Sequence, residues 1–352
     1  MATTVATDDE NSSEFMSVGR FGLGVSVLYQ YQGFWAFAEA LENVKDFQQN
    51  FKALDTDIIL ASVPKSGTVW LKALAFAIVN RYGHPIFSSS HHHPLLTITP
   101  HDLVPFVDFK HVYPSCSVLD FTKNSSQHTD HYDSPCRLIA THFPYPSLPA
   151  SIKDNTTNCK IVYICRNPLD TFISLWHFIN KIRTMPESNE STIPPRNKKE
   201  STPLLIEDAF EFFCDGVSEF GPYWDHVLGY WKASLEKPHK VLFLKYEDLK
   251  KEPEPQLKNL AEFLGYGFSE EEESQGVIKD ILSLCSFQHL KNLDVNKNGM
   301  AFSNFVANKD FFRKGEVGDW KNYLTPVMVE RLAHLTEDKF RGSGLAFQNF
   351  IP

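Results

Sequence analysis

Asp57-Ile58-Ile59-Leu60-Ala61-Ser62-Val63-Pro64-Lys65-Ser66-Gly67-Thr68-Val69-Trp70 is the stretch on which the fold turns. Its first six residues form a short apolar run closed by a turn signal at Pro64, the pattern of a buried strand. Beyond the glycine, Leu71, Leu74, Ala75 and Ile78 recur at helical spacing, which predicts a helix to about Tyr82. A strand that passes through a short loop into a helix opens an α/β unit. Such a loop presents free backbone N–H groups at the positive end of a helix, where phosphate or sulfate binds. Gly67 lets the backbone approach an anion closely, Ser66 and Thr68 add hydroxyls, and Lys65 adds charge. An ordinary βα turn with a surface lysine shares this pattern. It is not a Walker A motif, because Lys65 precedes the only glycine.

Working outward, apolar runs at 137–141, 160–165 and 241–245 read as further strands. Arg166-Asn167-Pro168 leads into a helix from about Leu169, with proline at the favoured first helical position. Leu257, Leu260, Ala261 and Leu264 mark another helix, ended by Gly265. Residues 28–54 are rich in aromatic and helix-forming residues. Apolar strands alternating with helices predict an α/β fold, a central and mainly parallel sheet flanked by helices. We expect one domain over residues 28–350 after a disordered polar tail at 1–17. Long polar stretches at 84–101, 120–135, 184–203 and 294–312 suit site walls or lids.

Composition narrows the function. The 352 residues include 42% apolar and 13% aromatic side chains, enough for a sizeable core. A formal net charge of −9 argues against wrapping nucleic acid, whose affinity comes from neutralising phosphates. No apolar run reaches the ~18 residues of a membrane span. Six scattered cysteines without a CxxC pair read as reduced thiols, and the acidic N-terminus has no h-region. The expected location is cytoplasmic.

Three further motifs carry chemistry. Arg166 and Ser174 stand at a second strand-to-helix junction and can converge on an anion; a capped helix alone explains them equally. His142, in Thr141-His142-Phe143-Pro144, follows a strand in a proline-bracketed loop and suits a general base, although a structural histidine is the common alternative. Arg313-Lys314-Gly315 places two cations on a loop, as a phosphate clamp or a solvated turn. His91-His92-His93 lies in a Ser-rich loop without metal-ligand spacing and reads as solvated; no metal site is expected.

Together, Pro64-Lys65-Ser66-Gly67-Thr68-x-Trp70, Arg166-Asn167-Pro168 with Ser174, and Arg313-Lys314-Gly315-x-x-Gly318-Asp319-Trp320 resemble the cytosolic sulfotransferases, and within them the plant flavonol and brassinosteroid branch. The resemblance spans about residues 28–350. It implies a P-loop-like fold with 3′-phosphoadenosine 5′-phosphosulfate (PAPS) as donor, released as adenosine 3′,5′-bisphosphate (PAP), and no metal. It implies that Lys65, Ser66, Gly67, Thr68 and Val69 hold the phosphosulfate. Trp70 and Phe287 would sandwich the adenine, helped by Tyr246. Arg166, Ser174, Arg313, Lys314 and Gly315 would hold the 3′-phosphate, with His142 as base and Lys65 on the bridging oxygen. Val69 and Val63 replace the family's usual Thr and Tyr, and Ala140 stands where animal members carry lysine. The family's dimer motif is only partly met by Lys321, Thr325, Pro326 and Glu330, implying a monomer or weak homodimer. The acceptor would be a small hydrophobic alcohol or phenol, held by segments 29–35, 106–109, 176–179 and 302–305. A small-molecule kinase and a catalytically impaired ligand binder of the same fold are the alternatives.

Overall fold

The computed structural model describes residues 16–20, 27–86, 93–109, 134–184, 202–301 and 306–347. It opens with a three-stranded antiparallel sheet, β1 (Met16–Arg20), β2 (Leu28–Tyr31) and β3 (Phe34–Ala36). The β2–β3 turn is Gln32-Gly33, both at positive φ (48° and 85°), as a two-residue hairpin requires. Aromatic alternation in a segment otherwise rich in helix formers concealed this hairpin; the helix begins only at Ala38 and runs to Asn50. Of the expected tail, residues 1–15 lie outside the described residues, while Met16 and Ser17 begin β1.

The central sheet has four parallel strands, β4 (Ile58–Ser62), β5 (Leu138–Thr141), β6 (Lys160–Cys165) and β7 (Val241–Lys245), in the order β5-β4-β6-β7. β4 and β5 are buried at every position, as expected of parallel strands covered on both faces. Ile59 faces Ile139 on one side and Ile161 on the other, so β4, β5 and β6 end at similar heights. That register brings three strand-end loops together at one edge, the usual place for a ligand in an open α/β sheet.

The helix Thr68–Asn80 is buried at every residue from Leu71 to Asn80 and forms the centre of the core with β4. The helix Pro168–Arg183 begins as the sequence indicates: Pro168 occupies its first turn, and Asn167 Oδ1 accepts from Asp170 N–H at 2.8 Å. Gly265 ends the helix Pro253–Leu264 in a left-handed conformation (φ 86°). His93 is not the solvated loop residue expected. It is buried, and its ring accepts from Leu95 N–H at 3.2 Å; His91 and His92 lie outside the described residues.

An ion pair joins the starts of β4 and β5. Arg137 donates from Nε and Nη2 to the two oxygens of the fully buried Asp57 at 2.7 and 2.6 Å. Leu54 N–H donates to the same carboxylate at 2.8 Å. Arg137→Met leaves that carboxylate buried without its counter-ion. We expect a loss of about 3 kcal/mol in urea unfolding, near the low end for breaking a buried pair because Arg137 keeps some solvent contact. A loss below about 1 kcal/mol would show that the pair does not anchor β4 to β5.

Candidate active site

A cavity of about 360 Å³ opens at the C-terminal ends of β4, β5 and β6. All fourteen residues the sequence reading assigned to the site line it, except Ser66, which is buried in the same loop. Glu219, Phe220, His101, Phe311 and Phe312 join them.

The loop after Ser62 holds two left-handed residues, Lys65 (φ 69°) and Gly67 (φ 113°). At Gly67 a Cβ would stand 2.9 Å from Tyr246 Cδ2 and 3.1 Å from Ile164 Cδ1, so both backbone angle and space demand glycine. The loop leads into the helix N-terminus at Thr68. Lys65 Nζ lies 4.0 Å from the centre of the Phe178 ring, and Arg313, Lys181 and Arg166 are near it. Burial, then these like charges, bring its pKa from 10.5 to about 7.

A cationic cluster faces this loop. Arg166 lies over the Tyr246 ring at 4.8 Å and pairs with Asp170 at 3.5 Å. Arg313 and Lys314 both pair with Asp319. Burial alone would raise Asp319, but hydrogen bonds from Lys314, Arg313 and Asn322 hold it at about 2. Gly315 (φ 68°) sits against Phe287, where a Cβ would come within 2.4 Å of the ring. Tyr246 donates to the Gly315 carbonyl at 3.0 Å and meets Trp70 edge-on at 5.5 Å.

Whether a polyanionic nucleotide fits is decided by polar atoms. Ser66 Oγ, Trp70 Nε1, Arg166 Nε and Arg313 Nε are all buried without a hydrogen-bond partner among the described residues. Buried donors left unpaired cost free energy unless a ligand satisfies them. Their convergence with Lys65 and the helix terminus matches two separate anionic groups on one ligand.

His142 stands at the end of β5. Its Nδ1 lies 2.7 Å from the carbonyl oxygen of Ser62. A carbonyl only accepts, so Nδ1 carries the proton and Nε2 keeps its lone pair. Burial, the largest effect, lowers its pKa to about 3 despite that hydrogen bond, so the ring is neutral at physiological pH. Phe106, Phe109 and Phe220 surround it, with ring centres at 4.7, 6.4 and 5.4 Å.

One expected wall segment is absent from the lining. Residues 29–35 do not reach the cavity, because the unforeseen hairpin places them elsewhere. From 176–179 only Phe178 lines it, and 302–305 lie outside the described residues. Sequence reading missed Asp170. Asp170 also accepts from Gly318 N–H at 2.7 Å and Trp320 N–H at 3.2 Å, tying the Arg313–Lys314 loop to the Arg166 helix. Asp170→Ala should strand both amides. We expect hydrogen exchange at Gly318 and Trp320 to speed up by at least about tenfold, each unmet bond costing about 1–3 kcal/mol. Unchanged protection there would show that the loop is held by other contacts.

Comparison with known proteins gives the family and the fold. The profile of the sulfotransferase domain matches residues 55–344. Cytosolic sulfotransferase 15 of Arabidopsis thaliana is 48% identical over 321 residues, 91% of this chain and 82% of that protein. A crystal structure of an Arabidopsis thaliana sulphotransferase superposes with a TM-score of 0.67 at 37% identity, covering 99% of this chain and 100% of the other. A mouse sulfotransferase complexed with PAP gives 0.60 at 26% identity, covering 90% and 96%.

Proposed function

The chain belongs to the sulfotransferase family, and from that premise we propose roles for its own side chains. The enzyme moves a sulfuryl group from PAPS to a hydroxyl of a small-molecule acceptor. The observation that carries the residue assignment is the meeting, in one cavity, of unpaired buried donors and a neutral imidazole with a fixed tautomer.

Bound PAPS supplies an activated sulfuryl group on a leaving phosphate. The amides at the start of the helix Thr68–Asn80, with Ser66, Thr68 and the backbone at Gly67 and Val69, bind the 5′ end. Arg166, Ser174, Arg313, Lys314 and Gly315 bind the 3′-phosphate, and Trp70, Tyr246 and Phe287 enclose the base. His142 Nε2 accepts the acceptor's hydroxyl proton. Lys65 stabilises negative charge as it develops on the oxygen that leaves. As in phosphoryl transfer, most of the rate comes from positioning and charge stabilisation.

Phe106, Phe109, Phe178 and Phe220 give the acceptor end flat apolar walls, which favours a phenolic, steroidal or similar hydrophobic acceptor. The partial dimer motif supports a monomer or weak homodimer. A cytoplasmic location accords with the naming of the relatives.

A panel of phenols, sterols and hydroxy acids with labelled PAPS tests the activity and identifies the acceptor. On the best acceptor, His142→Ala should lose about 10²–10⁴-fold in turnover while keeping its affinity for PAP. Turnover close to the parent value would remove His142 from the mechanism.

Lys65 gives a second test. Without a bound anion it loses its proton near pH 7, well below the ordinary lysine value. An anion beside it favours the charged form, so PAP binding at pH 8 should take up a proton. Calorimetry in buffers of different ionisation enthalpy should show uptake at pH 8 that is absent in Lys65→Met. Equal uptake in the variant would place the proton elsewhere.

A further inference from the structure

We propose that Asp108 is a positioning residue for the base, locking the Thr141–His142 turn so that the imidazole stays registered against the aromatic wall that receives the acceptor. The proposal rests on the reading of His142 as the base.

Asp108 is completely buried, and its two oxygens divide their work. Oδ1 accepts from the Thr141 hydroxyl at 2.6 Å, and Oδ2 accepts from the His142 N–H at 2.6 Å. Thr141 Oγ1 in turn accepts from Phe143 N–H at 2.9 Å. One carboxylate therefore organises three consecutive residues just where β5 ends. On the opposite side of the same turn, His226 donates from Nε2 to the His142 carbonyl at 2.8 Å. Tyr230 donates its hydroxyl to the Phe143 carbonyl at 2.7 Å. With the ring held by Ser62, every polar group of the His142 peptide is engaged.

Asp108 is itself fixed. Its carbonyl accepts from Asn43 Nδ2 at 2.8 Å, which ties it to the helix Ala38–Asn50. The residues just before it run along β5, with Ala140 N–H on the Pro105 carbonyl at 2.9 Å and Val107 N–H on the Ala140 carbonyl at 3.0 Å. Phe106 and Phe109 flank Asp108 in sequence, line the cavity and pack on the His142 ring. The segment 106–109 thus carries both the wall that meets the acceptor and the carboxylate that grips the base. A displaced wall moves the base with it.

Burial makes this carboxylate costly, pushing its pKa up to about 7 against the hydrogen bonds from Thr141 and His142. An apolar side chain there would leave the His142 amide and the Thr141 hydroxyl unpaired inside the protein. The two donors explain why an acid sits in this place.

The test compares Asp108→Ala, Asp108→Asn and His142→Ala, assayed with PAPS and the acceptor that the parent enzyme turns over fastest, with PAP affinity measured by calorimetry. We expect Asp108→Ala to lose about 10–100-fold in kcat, the scale of an ångström-sized misplacement, with Kd for PAP within about twofold of the parent. Asp108→Asn should recover most of the loss, since its Oδ1 still accepts from His142 N–H and its Nδ2 can donate to Thr141 Oγ1. An unchanged kcat in Asp108→Ala beside an inactive His142→Ala overturns the role of Asp108 alone. An active His142→Ala overturns the reading beneath it. A loss of PAP affinity equal to the loss in kcat, or no rescue by Asn, makes Asp108 a general structural residue and likewise overturns the proposal. Should Asp108→Ala fail to fold, Thr141→Val keeps the shape and removes one of the two donors. A kcat unchanged in that variant counts against the proposal, and a selective loss of kcat supports it.

Discussion

The carbonyl oxygen of Ser62 accepts the Nδ1 proton of His142 at 2.7 Å, and the chemistry of the site depends on that bond. It leaves the lone pair on Nε2, and burial keeps the ring neutral. The Ser62 hydroxyl stands 2.7 Å from that of Thr68, the first residue of the anion-binding helix. One residue at the end of β4 therefore touches both the helix terminus proposed to receive the donor and the imidazole proposed to receive the proton. The parallel register of β4 beside β5 brings the two strand ends side by side.

The charge distribution is as specific as the geometry. Arg166, Arg313, Lys314 and Lys65 would repel one another in an apolar cleft, and the fold manages this in two ways. Asp170 and Asp319 neutralise part of the cluster and fix its loops. The Nε atoms of Arg166 and Arg313 have no hydrogen-bond partner among the described residues, which suits an anionic ligand. Lys65 is left without a carboxylate hydrogen bond and sheds its proton readily. On the proposed reading, a nucleotide with phosphates at both ends would neutralise both parts of the cluster.

Much of this was legible in the residues. The β4 run, Pro64, Gly67 and the helical spacing from Leu71 specify a strand, a loop and a helix locally, and the structure follows them to within a few residues. Pro168 and Gly265 punctuate their helices by backbone chemistry alone. The Gln32-Gly33 hairpin was not legible, because flanking aromatics suit helix and strand alike and Gln-Gly is a weaker turn signal than Asn-Gly or Asp-Gly. Nor was Phe220, whose cavity position follows from long-range packing against Trp35, where Phe220 N–H donates to the Trp35 carbonyl at 2.7 Å. Nor were the bonding roles of Asp108, Asp170 and Asp319. Their partners lie 34, 148 and 6 residues away, and only the fold brings the first two together.

The account stands most directly on the protonation state of one ring. Nitrogen-15 spectra of the histidine-labelled enzyme, with His142 assigned by its loss in His142→Ala, report tautomer and charge together. The expected result is a neutral ring with the proton on Nδ1 and an unprotonated Nε2, unchanged from pH 8 down to pH 5. A ring carrying its proton on Nε2, or titrating near the ordinary histidine value, would contradict it.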